Sequence, residues 1–125
     1  MAKPNQYRGP VTSAGAYDRV IATVPGVERK GAKMPYTSVN GNMSSYLTED
    51  GTLALRLSPA DLQRFMTAFG ASLNVTYGHV QKEYVAVPAA VLDDTPTLAP
   101  WFAASWTYVS SLRPKPTTRA KSTTT

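Results

Sequence analysis

Few side chains in this sequence are of a kind that does covalent chemistry. Cysteine is absent and there is one histidine, His79. Thiolate nucleophiles and disulfides are therefore excluded. A zinc site at His79 would have to be completed by carboxylates such as Glu83 or Asp61, an unusual donor set. Asp93-Asp94 is an adjacent carboxylate pair, the residue type for acid–base work. Neighbouring side chains diverge, however, and acids ahead of a helix favour its free amides. Ser44-Ser45 and Ser110-Ser111 lie outside any Gly-x-Ser-x-Gly elbow, and one histidine cannot support a serine triad with conviction. Gly26, Gly31 and Gly41 are too scattered for a phosphate-binding loop. The sequence thus predicts no catalytic residues, no metal and no cofactor, and His79 reads as a solvent-facing turn or strand residue.

A different constellation is better suited to binding. Lys33, Arg56 and Lys82 fall in or beside predicted strands, where long cations normally face water. If they share a sheet face with Tyr46 and Tyr84, they make a small cationic–aromatic patch. Such a surface suits an anionic ligand, an acidic protein segment or single-stranded nucleic acid. The plainer expectation is that Glu83 and Glu49 neutralise ordinary strand cations. Asn40 is accounted for by a turn, and Asn42 by local hydrogen bonding.

The elements that would position this patch are legible. Asn40-Gly41 separates two alternating runs and suits a two-residue type I′ turn. Val39 then faces Asn42, Ser38 faces Met43 and Tyr36 faces Ser45. Alternation places Met34, Tyr36, Met43 and Leu47 on one face, and Thr37, Ser44 and Tyr46 on the other. Glu49-Asp50-Gly51 turns the chain again. Leu53, Leu55 and Leu57 then alternate with Ala54 and Arg56, marking a third strand with its leucines inward. Ahead of this meander, Ser13 caps a helix over Ala14–Val24 with Tyr17, Val20, Ile21 and Val24 in one stripe, ended by Pro25-Gly26.

Behind it, Ser58, Pro59 and Asp61 occupy the N-cap, N1 and N3 positions of a second helix. Leu62, Phe65, Met66 and Phe69 form its apolar stripe, and Gly70 its C-terminal stop. Strands are expected over Leu73–Tyr77 and Val80–Val87, the latter with Tyr84 opposite Val85 and Val87, and a bend at Gly78. Asp93 or Thr95 caps a last helix. Pro100 argues that its regular part begins near Ala99, and Trp101, Phe102, Trp106 and Val109 bury a wide face. The order α-β-β-β-α-β-β-α predicts an α+β, two-layer domain: an antiparallel five-stranded sheet with helices packed on it.

The chain of 125 residues is one domain's worth, with 42% apolar and 17% charged residues. The boundaries read as a flexible arm at 1–12, a single domain at 13–112 and a disordered basic tail at 113–125. Six of the thirteen basic residues lie in 1–13 and 113–125, which hold no acid; the body at 14–112 is left at about −1. A net charge of +5 therefore does not describe a basic folded surface. No apolar run reaches the roughly 20 residues of a membrane span, and no secretory h-region opens the chain. A cytoplasmic location without membrane association is the expectation.

Several segments together resemble the N-terminal domain family of the TfoX/Sxy competence regulators. They are Val24-Pro25-Gly26-Val27, Lys33-Met34, Val39-Asn40-Gly41-Asn42-Met43, Leu53–Leu57 with Arg56, Lys82-Glu83-Tyr84-Val85-Ala86-Val87-Pro88, and Tyr108-Val109-Ser110-Ser111-Leu112-Arg113-Pro114-Lys115. The resemblance covers residues 14–116 and implies the same element order. Pro35-Tyr36 stands where many members carry Gly-Gly, and no C-terminal helical domain follows. The resemblance implies a stand-alone N-terminal module: a non-enzymatic binding or regulatory unit, with transcription or competence as the family-level association. Two alternatives belong to other classes: a nucleic-acid-associated protein whose basic tail makes weak, non-specific phosphate contacts, and a small enzyme with an unfamiliar site. A homodimer or a protein partner is expected at the uncovered sheet face or at a sheet edge.

Overall fold

The computed structural model describes residues 7–114. Helix α1 (Val11–Ile21) leads into strands β1 (Tyr36–Val39), β2 (Asn42–Leu47) and β3 (Leu53–Arg56). Helix α2 (Pro59–Phe69), strands β4 (Leu73–Thr76) and β5 (His79–Val87), a single turn α3 (Ala89–Leu92) and helix α4 (Thr95–Ser110) follow. The five strands form one antiparallel sheet in the order β1-β2-β3-β5-β4. This is the expected α+β architecture. Among the described residues, no helix is long and apolar enough to cross a membrane.

The leucines of β3 are the centre of the core. Leu53, Leu55 and Leu57 are closed to solvent, as are Leu47 on β2 and Val85 on β5. Ala16, Tyr17 and Val20 of α1, Leu62 and Phe65 of α2, and Leu98 and Phe102 of α4 pack on them. Trp101 extends this layer sideways: its ring lies 5.2 Å from that of Phe65 and 6.0 Å from that of Phe69. Helix α2 starts as the sequence dictates, with Ser58 Oγ accepting from the Asp61 amide and Pro59 at the first position. Gly70 at φ 63° closes it in the left-handed region that glycine enters at little cost.

Two helices begin earlier than expected. Helix α1 starts at Val11, with Pro10 rather than Ser13 at its N-cap, and ends at Ile21 rather than Val24. The anchor is Tyr7, whose hydroxyl donates to the Thr48 carbonyl at 2.6 Å. Residues 7–12 therefore belong to the folded body rather than to an arm. The rest of the expected arm (1–6) and residues 115–125 of the expected tail lie outside the described residues. Helix α4 starts at Thr95 and not near Ala99, because Asp94 caps it through both the amide and the hydroxyl of Thr97. Pro100 sits inside the helix and leaves the Pro96 carbonyl without a partner amide; both prolines face solvent, where water can serve that carbonyl.

The larger corrections are two breaks in strand register. Asn40 and Gly41 have φ of 53° and 81°, so the type I′ turn forms, and Val39 faces Asn42 and Ser38 faces Met43 as expected. Beyond that point Thr37 pairs with Ser45, and Tyr36 with Tyr46 instead of Ser45. Ser44 is an extra residue on β2, and a bulge of this kind turns every later side chain to the opposite face. Thr37 and Ser44, expected outside, are consequently buried. Met34 and Met43, expected beside Leu47, lie with Tyr46 on the side away from the helices.

The buried hydroxyls satisfy one another. Tyr17 and Ser45 oxygens lie 2.7 Å apart, Ser45 and Thr37 2.5 Å, and Thr37 and Ser44 2.6 Å, while Ser105 donates to the Ser44 carbonyl. A hydroxyl chain in an apolar interior is tolerated when every member is paired. The second break lies between β4 and β5. Val75 pairs with Val80 and Leu73 with Val85, so Asn74 alone opposes the stretch Gln81–Tyr84. This bulge brings Gln81 and Tyr84 to the same face, which strict alternation forbids.

Candidate functional site

The face of the sheet away from the helices is hollowed into a cavity of about 560 Å³. Its shape follows from residue size. Ala54, in the middle of the sheet, pairs with Tyr46 on one side and Ala86 on the other. With only a methyl group there, the Tyr46 and Tyr84 rings meet over the central strand, 5.8 Å apart and inclined at 61°. Their contact leaves Ala54 fully closed to solvent although no helix covers it. Met34 and Met43 line one side of the cavity, and Thr76 and Tyr77, from the tip of the β4–β5 hairpin, line the other. Lys33, Thr48 and Glu49 complete its lining.

Beside the aromatic pair, two amides fix the tyrosine. The Tyr46 hydroxyl donates to Gln81 Oε1 at 2.6 Å. Asn74 Nδ2 donates to the Tyr46 oxygen at 2.9 Å and to Gln81 Oε1 at 2.8 Å. Asn74 is buried, so this triangle is a fixed part of the surface rather than a solvated fringe. Burial pushes the Tyr46 phenol up from its ordinary value, against hydrogen bonds with Gln81, Thr76 and Asn74 that lower it. Burial also pushes Tyr84 up, with the nearby Arg56 guanidinium pulling the other way. Both phenols are neutral near pH 7 and offer hydrogen bonds and π-faces, not a base or a nucleophile.

Arg56 lies behind this surface and closes a seam in the sheet. β2 and β3 pair only from Ser45–Leu55 to Leu47–Leu53, so the Met43 carbonyl has no strand partner on that side. Arg56 Nη1 donates to it at 3.3 Å and the Tyr84 hydroxyl at 3.2 Å. The same guanidinium donates through Nε to Glu83 Oε1 at 2.7 Å and lies 5.8 Å from the Tyr84 ring centre. Glu83 also accepts from the Tyr108 hydroxyl of α4 at 3.2 Å. Burial works against the Arg56 charge, but Glu83, Tyr84 and Tyr108 more than offset it.

Of the five residues expected to form a patch, Lys33, Tyr46 and Tyr84 line the cavity. Arg56 does not line the cavity; it touches the Tyr84 ring and the Met43 carbonyl, its charge being engaged by Glu83. Lys82 is exposed within the β5 bulge and does not line the cavity. The surface is therefore more aromatic and less cationic than the sequence suggested. Sequence reading missed Met34, Met43, Thr76, Tyr77 and Gln81. Tyr77-Gly78 carried a usable signal: a second two-residue turn at that position pairs Thr76 with His79, as observed, and places Asn74, Thr76 and Gln81 on one face.

The chemically suggestive acids are occupied elsewhere. Asp94 caps α4, and Asp61 pairs with Arg64. Among the described residues, no three histidine or acidic side chains gather in a way that could hold a metal ion. Ser44 and Ser45 are sealed on the helix side, whereas His79 is exposed at the start of β5. No family model, no curated protein and no solved structure matches the chain.

Proposed function

We propose that the chain is a non-enzymatic binding module that recognises a small ligand in the cavity on its uncovered sheet face. The observation that carries this reading is the pair of tyrosines over Ala54, of which Tyr46 is held by the buried Asn74 and by Gln81. An apolar hollow of a few hundred cubic ångströms with a few fixed polar groups is the usual form of a small-molecule site. The reading agrees with the regulatory role implied by the resemblance to the TfoX N-terminal domain, which is an analogy of family and not of site. Amide NMR with a panel of small fragments tests it. Saturable shifts at Tyr46, Gln81 and Tyr84 are expected, with affinity little changed between low and physiological salt. Binding confined to the basic termini and steeply lost with salt would favour the nucleic-acid reading instead.

Self-association is a second reading, supported by a separate part of the surface. Strand β4 is a sheet edge, and Leu73–Gly78 carries neither charge nor proline, the usual devices that blunt an edge. Val75 and Val80, cross-strand neighbours, are 58% and 55% exposed. The opposite edge is shielded at its start by a bridge between Lys30 and Tyr36. A two-fold pairing of β4 with its copy would bury those valines. Light scattering at micromolar concentration should give about twice 13.5 kDa for the native chain and 13.5 kDa for Val75→Lys. A native mass of 13.5 kDa removes this reading and leaves the cavity untouched.

A further inference from the structure

The molecule contains two turns of one type and fills them differently. Asn40-Gly41 has φ of 53° and 81°, and Tyr77-Gly78 has φ of 50° and 77°. Asparagine enters the left-handed region readily because its short side chain bonds locally. A tyrosine does so against steric resistance. Among the described residues, no packing of the ring offsets that strain, since Tyr77 is 96% exposed. It is one of the residues that line the cavity, together with Tyr46 and Tyr84. Strain retained at an exposed aromatic beside a cavity points to a role for the ring in holding a ligand.

The polar groups of the cavity define the rest of that ligand. Gln81 Oε1 already accepts two hydrogen bonds, whereas the Gln81 amide hydrogens have no partner among the described residues. Lys33 and Glu49 also line the cavity, and neither forms an ion pair among the described residues. One cation, one anion and one free amide donor surround a space walled by tyrosines.

On the reading of the cavity given above, we infer that it takes a planar aromatic zwitterion of the size and charge of an aromatic amino acid. The ring stacks under Tyr77, the carboxylate meets Lys33 and the Gln81 amide, and the ammonium meets Glu49. A cavity of about 560 Å³ accommodates a molecule of that class.

The experiment titrates four probes by amide NMR: L-tryptophan, tryptamine lacking the carboxylate, indole propionate lacking the ammonium, and cyclohexylalanine lacking the flat ring. The proteins are the native chain, Tyr77→Asn, Lys33→Met and Glu49→Gln. Tryptophan is expected to bind saturably with shifts at Gln81 and Tyr84. Tyr77→Asn should weaken it about fivefold, as loss of one aromatic stack does, while raising the thermal midpoint by a few degrees. Tryptamine and indole propionate should each bind about threefold more weakly than tryptophan, the scale of one partly exposed charge pair. Lys33→Met should shrink the first difference, leaving the part owed to the Gln81 amide, and Glu49→Gln should erase the second.

Equal binding of cyclohexylalanine, unchanged affinity in Tyr77→Asn, or a lowered midpoint in that variant overturns the inference. Charge-reversed fragments that bind the cavity while tryptophan does not overturn it too, and leave the cavity reading standing. No probe or fragment shifting the cavity amides removes both.

Discussion

Ala54 and Leu55 are neighbours on β3, and both are fully closed to solvent, but by different means. Leu55 lies under the helices, inside an apolar cluster drawn, among the described residues, from all three long helices and from β2, β3 and β5. Ala54 lies under two tyrosine rings, on the face that carries no helix. The first arrangement is what a two-layer domain needs for stability. The second is not. A sheet face meant only to meet water has no use for a tyrosine pair, a buried asparagine and two methionines around a hollow. The difference separates residues that make the fold from residues that use it.

That contrast predicts how each face responds to damage. Leu55→Ala should cost about 4 kcal/mol, the transfer loss plus the cavity it leaves. Met34→Ala, on the open face, should stay within about 0.5 kcal/mol. Urea unfolding of the two variants checks both figures, and equal losses would erase the distinction.

Tyr17 gives the next largest effect. Burial pushes its phenol up to about 12, against hydrogen bonds from Ser45 and Thr37 that favour ionisation. The folded state holds the proton more tightly than the unfolded chain, so stability is fully present below pH 10 and falls as pH rises toward 12. The loss across that window should be about 3 kcal/mol, seen as denaturant midpoints declining together with the appearance of tyrosinate absorbance. Tyr17→Phe should flatten most of the decline. A Tyr17 phenol titrating near pH 10 in the intact fold would contradict the sealed hydroxyl chain.

Arg56→Leu comes third. It removes donors from the Met43 carbonyl and the Glu83 carboxylate and should cost about 1.5 kcal/mol. The seam joins the two faces, so this variant should also broaden the NMR signals of Tyr84 and Met43. The remaining effect has the opposite sign. Tyr77→Asn should stabilise the fold by about 1 kcal/mol, and Asn40→Tyr should destabilise it by a similar amount. Thermal melts of this reciprocal pair measure how much stability the chain concedes at the cavity.

How much of this the sequence disclosed depended on the kind of physics involved. Local rules wrote the Asn40-Gly41 turn, the Ser58–Asp61 cap, the Gly70 stop and the leucine alternation of β3, and each could be read directly. The bulge at Ser44 has no compositional mark. It exists because Thr37 and the two serines satisfy one another under α1 and α4, which is a tertiary decision. Missing that one residue inverted a face, sending Thr37 inward and bringing Met43 to the side of Tyr46. The bulge opposite Asn74 acted likewise on the site, admitting Gln81 and leaving Lys82 out. Tyr46 and Tyr84 were recognisable as an exposed-face pair; the amides and methionines around them were not, because only the broken registers bring them together.

Methionine methyl NMR tests the central claim, that the chain acts through the face its helices leave open. Met34 and Met43 line the cavity, and Met66 packs against the core on α2, serving as an internal control. With a ligand such as tryptophan at saturation, the Met34 and Met43 methyl signals should move while that of Met66 stays in place. Shifts of Met66 without Met34 or Met43 would put the binding surface on the helical side and contradict the account.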